Sequence, residues 1–137
     1  MKLLSSFIST IARARSWRVE NWTDYPAACQ RDVLQDLVTA AQYTTFGRQY
    51  HFSELYSIKE FKTSVPVHEY EDLQPFIDRM LNGEENVLWN TPVKWFAKSS
   101  GTTSNKSKFI PVSDESLQEN HFKASKDVLT NYYKNFP

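Results

Sequence analysis

The sequence predicts an α/β chain that is rich in helix, and three observations carry that reading. Apolar residues recur at spacings of three and four along much of the chain. Two short runs, Val93 to Ala97 and Phe109 to Val112, read as strands. A single polar loop joins them, so the geometry there is strand–loop–strand.

The elements follow in order. Leu4, Phe7, Ile8, Ile11 and Ala12 give residues 3–17 one apolar helical face. Asp24 or Thr23 suits the cap of a second helix with Pro26 in its first turn. The stripe of that helix is Val33, Leu34, Leu37, Val38 and Ala41, and Gly47 ends the region. His51 to Tyr56 connects to a short helix that Ser57 caps and that runs through Phe61. Val65-Pro66-Val67 is extended. Pro75 divides the next region, after which Phe76, Ile77, Met80 and Leu81 form a helical face that stops at Gly83. Val87 to Trp89 reads as a further strand. Beyond the hairpin, Ser113 is a good N-cap, with Asp114 and Glu115 well placed near a helix N-terminus. Leu117, His121, Ala124, Val128 and Tyr132 then make its apolar stripe.

Composition sets the outer limits. The 137 residues amount to one domain by length, 40% hydrophobic and 15% aromatic, which is globular and not disordered. Basic and acidic residues balance at 16 each, so the net basic surface expected of a nucleic-acid partner is missing. Cys29 is the sole cysteine, which rules out an intrachain disulfide and a thiolate metal cluster and fits a reducing cytoplasm. No apolar run approaches the roughly 20 residues that span a bilayer, and the first apolar stretch is broken by serines, unlike a signal peptide. His51, His68 and His121 have no metal-ligand spacing, and Glu69, Glu71 and Asp72 read as acids favoured near a helix start.

The loop carries the chemistry. It reads Lys98-Ser99-Ser100-Gly101-Thr102-Thr103-Ser104-Asn105-Lys106-Ser107-Lys108. No acid occurs between Glu85 and Asp114, whereas Lys94, Lys98, Lys106 and Lys108 do, so a neutral chain holds a local positive patch. Backbone N–H groups and Ser/Thr hydroxyls can donate to phosphate oxygens, and lysine adds a compact positive charge. Gly101 lets a ligand approach the backbone and can adopt positive φ. The loop is not a Walker A motif, which needs a second glycine followed by Lys-Ser/Thr and a helix. Ser, Thr, Asn and Gly are also ordinary turn residues, so a solvated hairpin turn is the competing reading.

The run Ser99-Ser100-Gly101-Thr102-Thr103, followed by Lys108 and Ile110-Pro111, resembles the nucleotide-phosphate loop of adenylate-forming enzymes. It looks most like the auxin-responsive acyl-acid amido synthetases, the Gretchen Hagen-type family, in its bacterial branch. Phe46-Gly47, Phe61, Val65-Pro66-Val67, Tyr70, Pro75, Ile77, Arg79 and Gly83-Glu84 extend the resemblance upstream, to about residues 20–137. Asn105 stands where many members carry a second glycine; asparagine tolerates left-handed geometry best among the other residues.

The resemblance implies that residues 1–137 are the N-terminal fragment of a large adenylate-forming domain, incomplete without the rest of that domain and a C-terminal domain. It implies ATP and Mg2+ as cofactors, a carboxylic acid substrate, and an amine or amino acid acceptor. Ser99, Ser100, Gly101, Thr102, Thr103 and Ser104 would bind the phosphates, and Lys108 would be catalytic, offsetting charge on departing pyrophosphate. No nucleic acid or membrane partner is implied. The alternative is a non-catalytic helical interaction module, or a truncated relic, whose hairpin is only a turn.

Overall fold

The computed structural model describes residues 22–100 and 107–136, together with Thr10 and Ser16. The helix expected over residues 3–17 lies outside the described residues, apart from Thr10 and Ser16, which are helical. The chain divides into two compact units, Arg31–Asp114 and, separately, Met1–Gln30 with Glu115–Pro137. The elements are α1 (Pro26–Ala41), α2 (Thr45–Gln49), a 3-10 turn (Phe52–Glu54), α3 (Ile58–Ser64), α4 (Tyr70–Leu81), β1 (Trp95–Lys98), β2 (Phe109–Val112), a π-helical stretch (Ser116–Phe122) and α5 (Lys123–Asn135). The described residues, rich in helix and with one small sheet among them, match the α/β expectation.

Pro26 opens α1, where its missing N–H is one of the unbonded helix-start donors anyway. Residues 22–24 are already helical, so neither Thr23 nor Asp24 is the cap expected of them. The Tyr25 carbonyl accepts from the Cys29 N–H at 3.0 Å instead. Val38 and Ala41 are buried and Leu34 packs beside them, but Val33 and Leu37 are 57% and 50% exposed. The buried stripe is therefore narrower than the expected one. Leu34, Val38 and Ala41 lie at i, i+4 and i+7 and share one face, with Val33 and Leu37 on its flank.

The turn from α1 into α2 is closed by Thr44, which is fully buried. Its hydroxyl donates to the Ala41 carbonyl at 2.7 Å and accepts from the Gly47 N–H at 2.9 Å. The other early N–H groups of α2 are also paired. Thr45 donates to Asn86 O at 2.8 Å, Phe46 to Val87 O at 3.0 Å, and Arg48 to Thr44 O at 3.0 Å. A helix start buried in this way needs a partner for each donor. This explains two departures from expectation. Gly47 lies inside α2 and does not end it, because any Cβ there would strike the Ala41 carbonyl. Val87 to Trp89 is a bend and not a strand, because the carbonyls before and at Val87 serve the α2 N-terminus, not a ladder. Asn86 takes a left-handed φ of 56° to make that turn.

His51, at φ 53°, leads into the 3-10 turn within the expected connector. Ser57 caps α3 as expected, its Oγ accepting from the Glu60 N–H at 3.2 Å, while the Glu60 carboxylate accepts from the Tyr56 N–H at 2.8 Å. The core gathers Val38, Ala41, Phe52 and Leu55, with Leu34, Phe46, Tyr50, Phe61, Val65 and Trp89 packed against it. Phe46 meets Phe52 and Phe76 edge-on, with centroids 6.0 Å and 5.6 Å away.

Helix α4 starts at the acids as expected, with the Asp72 carboxylate accepting the Glu69 N–H at 2.9 Å. Pro75 does not divide it. A proline there removes the bond to the carbonyl four residues earlier and crowds that carbonyl with its ring, and the burial of Ile77 and Met80 works against that cost. Gly83, at φ 85°, ends it in a Schellman arrangement: Gly83 N–H bonds Met80 O and Glu84 N–H bonds Arg79 O, both at 3.0 Å. Arg79 bridges the same turn. Its guanidinium donates twice to the Glu84 carboxylate, once at 2.8 Å from Nε, and also reaches Thr45 Oγ1 at 3.2 Å.

Strands β1 and β2 pair antiparallel, Trp95 with Val112 through Lys98 with Phe109. Beyond the hairpin, the last helix opens at Asp114, after Ser113, as expected. Its π-helical stretch was not expected. A π turn bonds i to i+5 and is wider than an α turn. Val128 and Tyr132, expected on the apolar stripe, are 70% and 57% exposed, and Thr130 is the buried residue of α5. Among the described residues no helix is long and apolar enough to cross a membrane.

Two measurements test these contacts. Thr44→Val keeps the shape but strands a buried N–H, and should destabilise by about 1–3 kcal/mol in urea titration; an unchanged midpoint would mean the hydroxyl does not hold the turn. Arg79 holds the Glu84 carboxyl below the ordinary carboxylate range. Such a group stabilises the fold above its unfolded value, about 4.3, and the contribution is lost as pH falls through its lower folded value. Glu84→Gln should therefore melt below the parent at pH 7, and the gap should close on acidification below about pH 4.3. A gap independent of pH would point to lost packing instead.

Candidate functional site

The hairpin closes the loop with two bonds between the residues that bracket it. Ser99 N–H donates to the Lys108 carbonyl at 2.9 Å, and Lys108 N–H donates to Ser99 Oγ at 3.1 Å. The Ser99 hydroxyl accepts in that bond and keeps its own proton for another acceptor. Antiparallel pairing alternates inward and outward backbone groups, so with Lys108 bonded across the hairpin, Phe109 and Pro111 point theirs away from β1. Pro111 lies on the side where a missing N–H leaves the ladder intact.

The outward groups of Phe109 are taken by α4. Tyr70 Oη accepts from the Phe109 N–H at 2.9 Å and lies 3.3 Å from the Phe109 carbonyl, to which it donates. One phenol thus occupies both backbone groups of a strand residue 39 positions away. The next residue continues the contact. Glu71 Oε1 lies 3.3 Å from Lys108 Nζ, and the same ammonium sits 4.7 Å from the centroid of the Tyr70 ring. The Glu71 carboxyl is held below the ordinary carboxylate range, first by its own backbone N–H and then by Lys108. Lys98 Nζ lies 5.9 Å from the Phe109 ring centroid, which adds a second cation to the hairpin.

Of the residues expected to bind phosphate, the structure brings Ser99 and Lys108 face to face, with Ser100 exposed beside Ser99. Gly101, Thr102, Thr103 and Ser104 lie outside the described residues. Tyr70 and Glu71 join the site unannounced. Glu71 reads locally as a helix-start acid, and nothing near it in sequence identifies a lysine of the hairpin as its partner. Among the described residues no three His, Cys, Asp or Glu side chains come together to hold a metal. His68 packs edge-on to Phe46 and Tyr50, with its buried Nε2 unpartnered and Nδ1 4.0 Å from Asp72 Oδ2. The Ser99 hydroxyl and the Lys108 ammonium are both groups that can donate to anionic oxygens.

Residues 15–137 match the family model described as GH3 family N-terminal domain. The chain is 34% identical over 100 residues to the indole-3-acetic acid-amido synthetase GH3.2 of Arabidopsis thaliana, covering 72% of this chain and 18% of that protein. It is 32% identical over 113 residues to the probable indole-3-acetic acid-amido synthetase GH3.13 of Oryza sativa subsp. japonica, covering 76% of this chain and 24% of that one. A solved structure, AtGH3.15 acyl acid amido synthetase in complex with 2,4-DB, superposes with a TM-score of 0.80 at 29% identity, over 92% of this chain and 22% of that one. The chain thus spans about a fifth of the length of these relatives. They are plant proteins and lend no support to a bacterial branch.

Tyr70→Phe removes the hydroxyl and keeps the ring. At about 0.5–1.5 kcal/mol for a net hydrogen bond, the Phe109 amide should lose two- to tenfold of its protection from hydrogen exchange. Unchanged protection would mean that α4 does not hold the strand.

Proposed function

The chain belongs to the GH3 family, and from that premise we propose that it supplies the phosphate-binding part of an ATP-dependent acyl-acid amido synthetase. Residues 1–137 would form the N-terminal part of a large adenylate-forming domain. The rest of that domain and a C-terminal domain would complete the enzyme, a reading supported by the small share of each relative that the chain covers.

The reaction has two steps. A carboxylate oxygen of the acid attacks the α-phosphorus of ATP, the α–β phosphoanhydride breaks, and pyrophosphate leaves with the electron pair. The nitrogen of an amine or amino acid then attacks the acyl carbon, AMP departs, and the nitrogen loses a proton to give an amide. Ser99, Ser100, Gly101, Thr102, Thr103 and Ser104 wrap the β- and γ-phosphates through hydroxyl and backbone donors. Lys108 offsets the charge that builds on the leaving pyrophosphate, which is catalysis by positioning and electrostatics. Mg2+, bound together with the nucleotide, would add positive charge beside its phosphates. The chain works in the cytoplasm, a reading supported by its single cysteine, with neither nucleic acid nor membrane as partner.

The observation that supports this reading is the pairing of Ser99 with the main chain of Lys108, which sets a hydroxyl-bearing residue and a lysine on the two sides of the loop. Acid-dependent ATP–pyrophosphate exchange on the intact native protein tests it. Losing a donor of this kind commonly reduces turnover about 10²–10³-fold, and Lys108→Ala should fall by that much. Near-normal exchange would remove Lys108 from the mechanism.

A further inference from the structure

We propose that Glu71 is the resting counter-ion of Lys108, a positioning residue whose carboxylate the nucleotide's phosphates must displace. The proposal rests on the phosphate-binding reading of the hairpin and adds a residue from outside the loop to it. Three observations support it. The Glu71 carboxylate lies 3.3 Å from Lys108 Nζ, within ion-pair range. Tyr70, one residue earlier, fixes the main chain of Phe109 with two hydrogen bonds and lies under the ammonium with its ring. The main chain on both sides of the pair is therefore held by contacts that do not involve the pair itself. The ammonium can exchange one anion for another while its backbone stays in place. Both side chains also remain partly exposed, Lys108 at 38% and Glu71 at 63%, so an incoming anion can reach them.

The energetic logic is competition. An exposed ion pair is weak, and a polyphosphate carries several charges against one carboxylate. Glu71 therefore weakens binding without preventing it. It holds the ammonium beside the Tyr70 ring and opposes any anion that cannot outcompete it. This role predicts a gain on removal. An ion pair that served only to hold the hairpin would predict a loss.

The test is the dissociation constant for MgATP on the intact native protein, at low and high salt, in a double-mutant cycle. Glu71→Gln should bind MgATP roughly two- to fivefold more tightly near 50 mM salt, the range expected for an exposed pair. The gain should shrink at 0.5 M salt, where exposed charges are screened. In a Lys108→Ala background the same substitution should change binding little, because Glu71 acts through that lysine. Thermal melting confirms that each variant is folded. Unchanged or weaker binding by Glu71→Gln, with Lys108→Ala still impaired, would overturn the counter-ion role and leave the phosphate site standing. If Lys108→Ala itself bound MgATP normally, the phosphate site and this proposal would fall together.

Discussion

The buried start of α2 is the constraint on which the Arg31–Asp114 unit depends. A helix of five residues cannot stabilise itself, and its first donors face away from water. Each has a partner: Thr44 serves two of them, and the carbonyls of Asn86 and Val87 serve the others. That requirement brings the segment after α4 back onto the turn after α1. It forces Asn86 into left-handed geometry and buries Val87 completely. It also excludes a side chain at Gly47, since the Ala41 carbonyl occupies the space. Arg79 ties the C-terminal end of α4 to the same place through Thr45 and Glu84.

Fixing one end of α4 places the other. The helix has twelve residues, about 18 Å at 1.5 Å per residue, and its first turn carries Tyr70 and Glu71 to the hairpin. A two-stranded hairpin alone is marginal in water. Here one strand has its outward backbone groups taken by a phenol, and Pro111 adds no unpaired N–H on that side. The hairpin is thus tied to the core through α4.

The electrostatics of the site are local. Over these 137 residues acids and bases balance at 16 each, so the positive charge is a matter of local distribution. The chain has an acid-free stretch around the loop and one carboxylate brought to it from α4. The first concentrates positive charge at the hairpin and the second tempers it. Both matter only near the loop, within roughly the 8–10 Å over which exposed charges act at ordinary salt.

Local signals were legible in the sequence by itself. Ser57 caps α3, Pro26 opens α1, Gly83 ends α4 and the two strands flank the loop, because capping, φ restriction and alternation depend on residues within a few positions. Tertiary structure decided the rest. Pro75 sits inside a helix because Ile77 and Met80 are buried, and Gly47 sits inside another because a carbonyl lies against it. The stripe expected through Val128 and Tyr132 is exposed, and Thr130 is buried in its place. The contacts of Tyr70 with Phe109 and of Glu71 with Lys108 join residues far apart in the chain. Side chains that meet only through packing leave no periodicity, spacing or cap in the sequence between them, so only the fold could place them together.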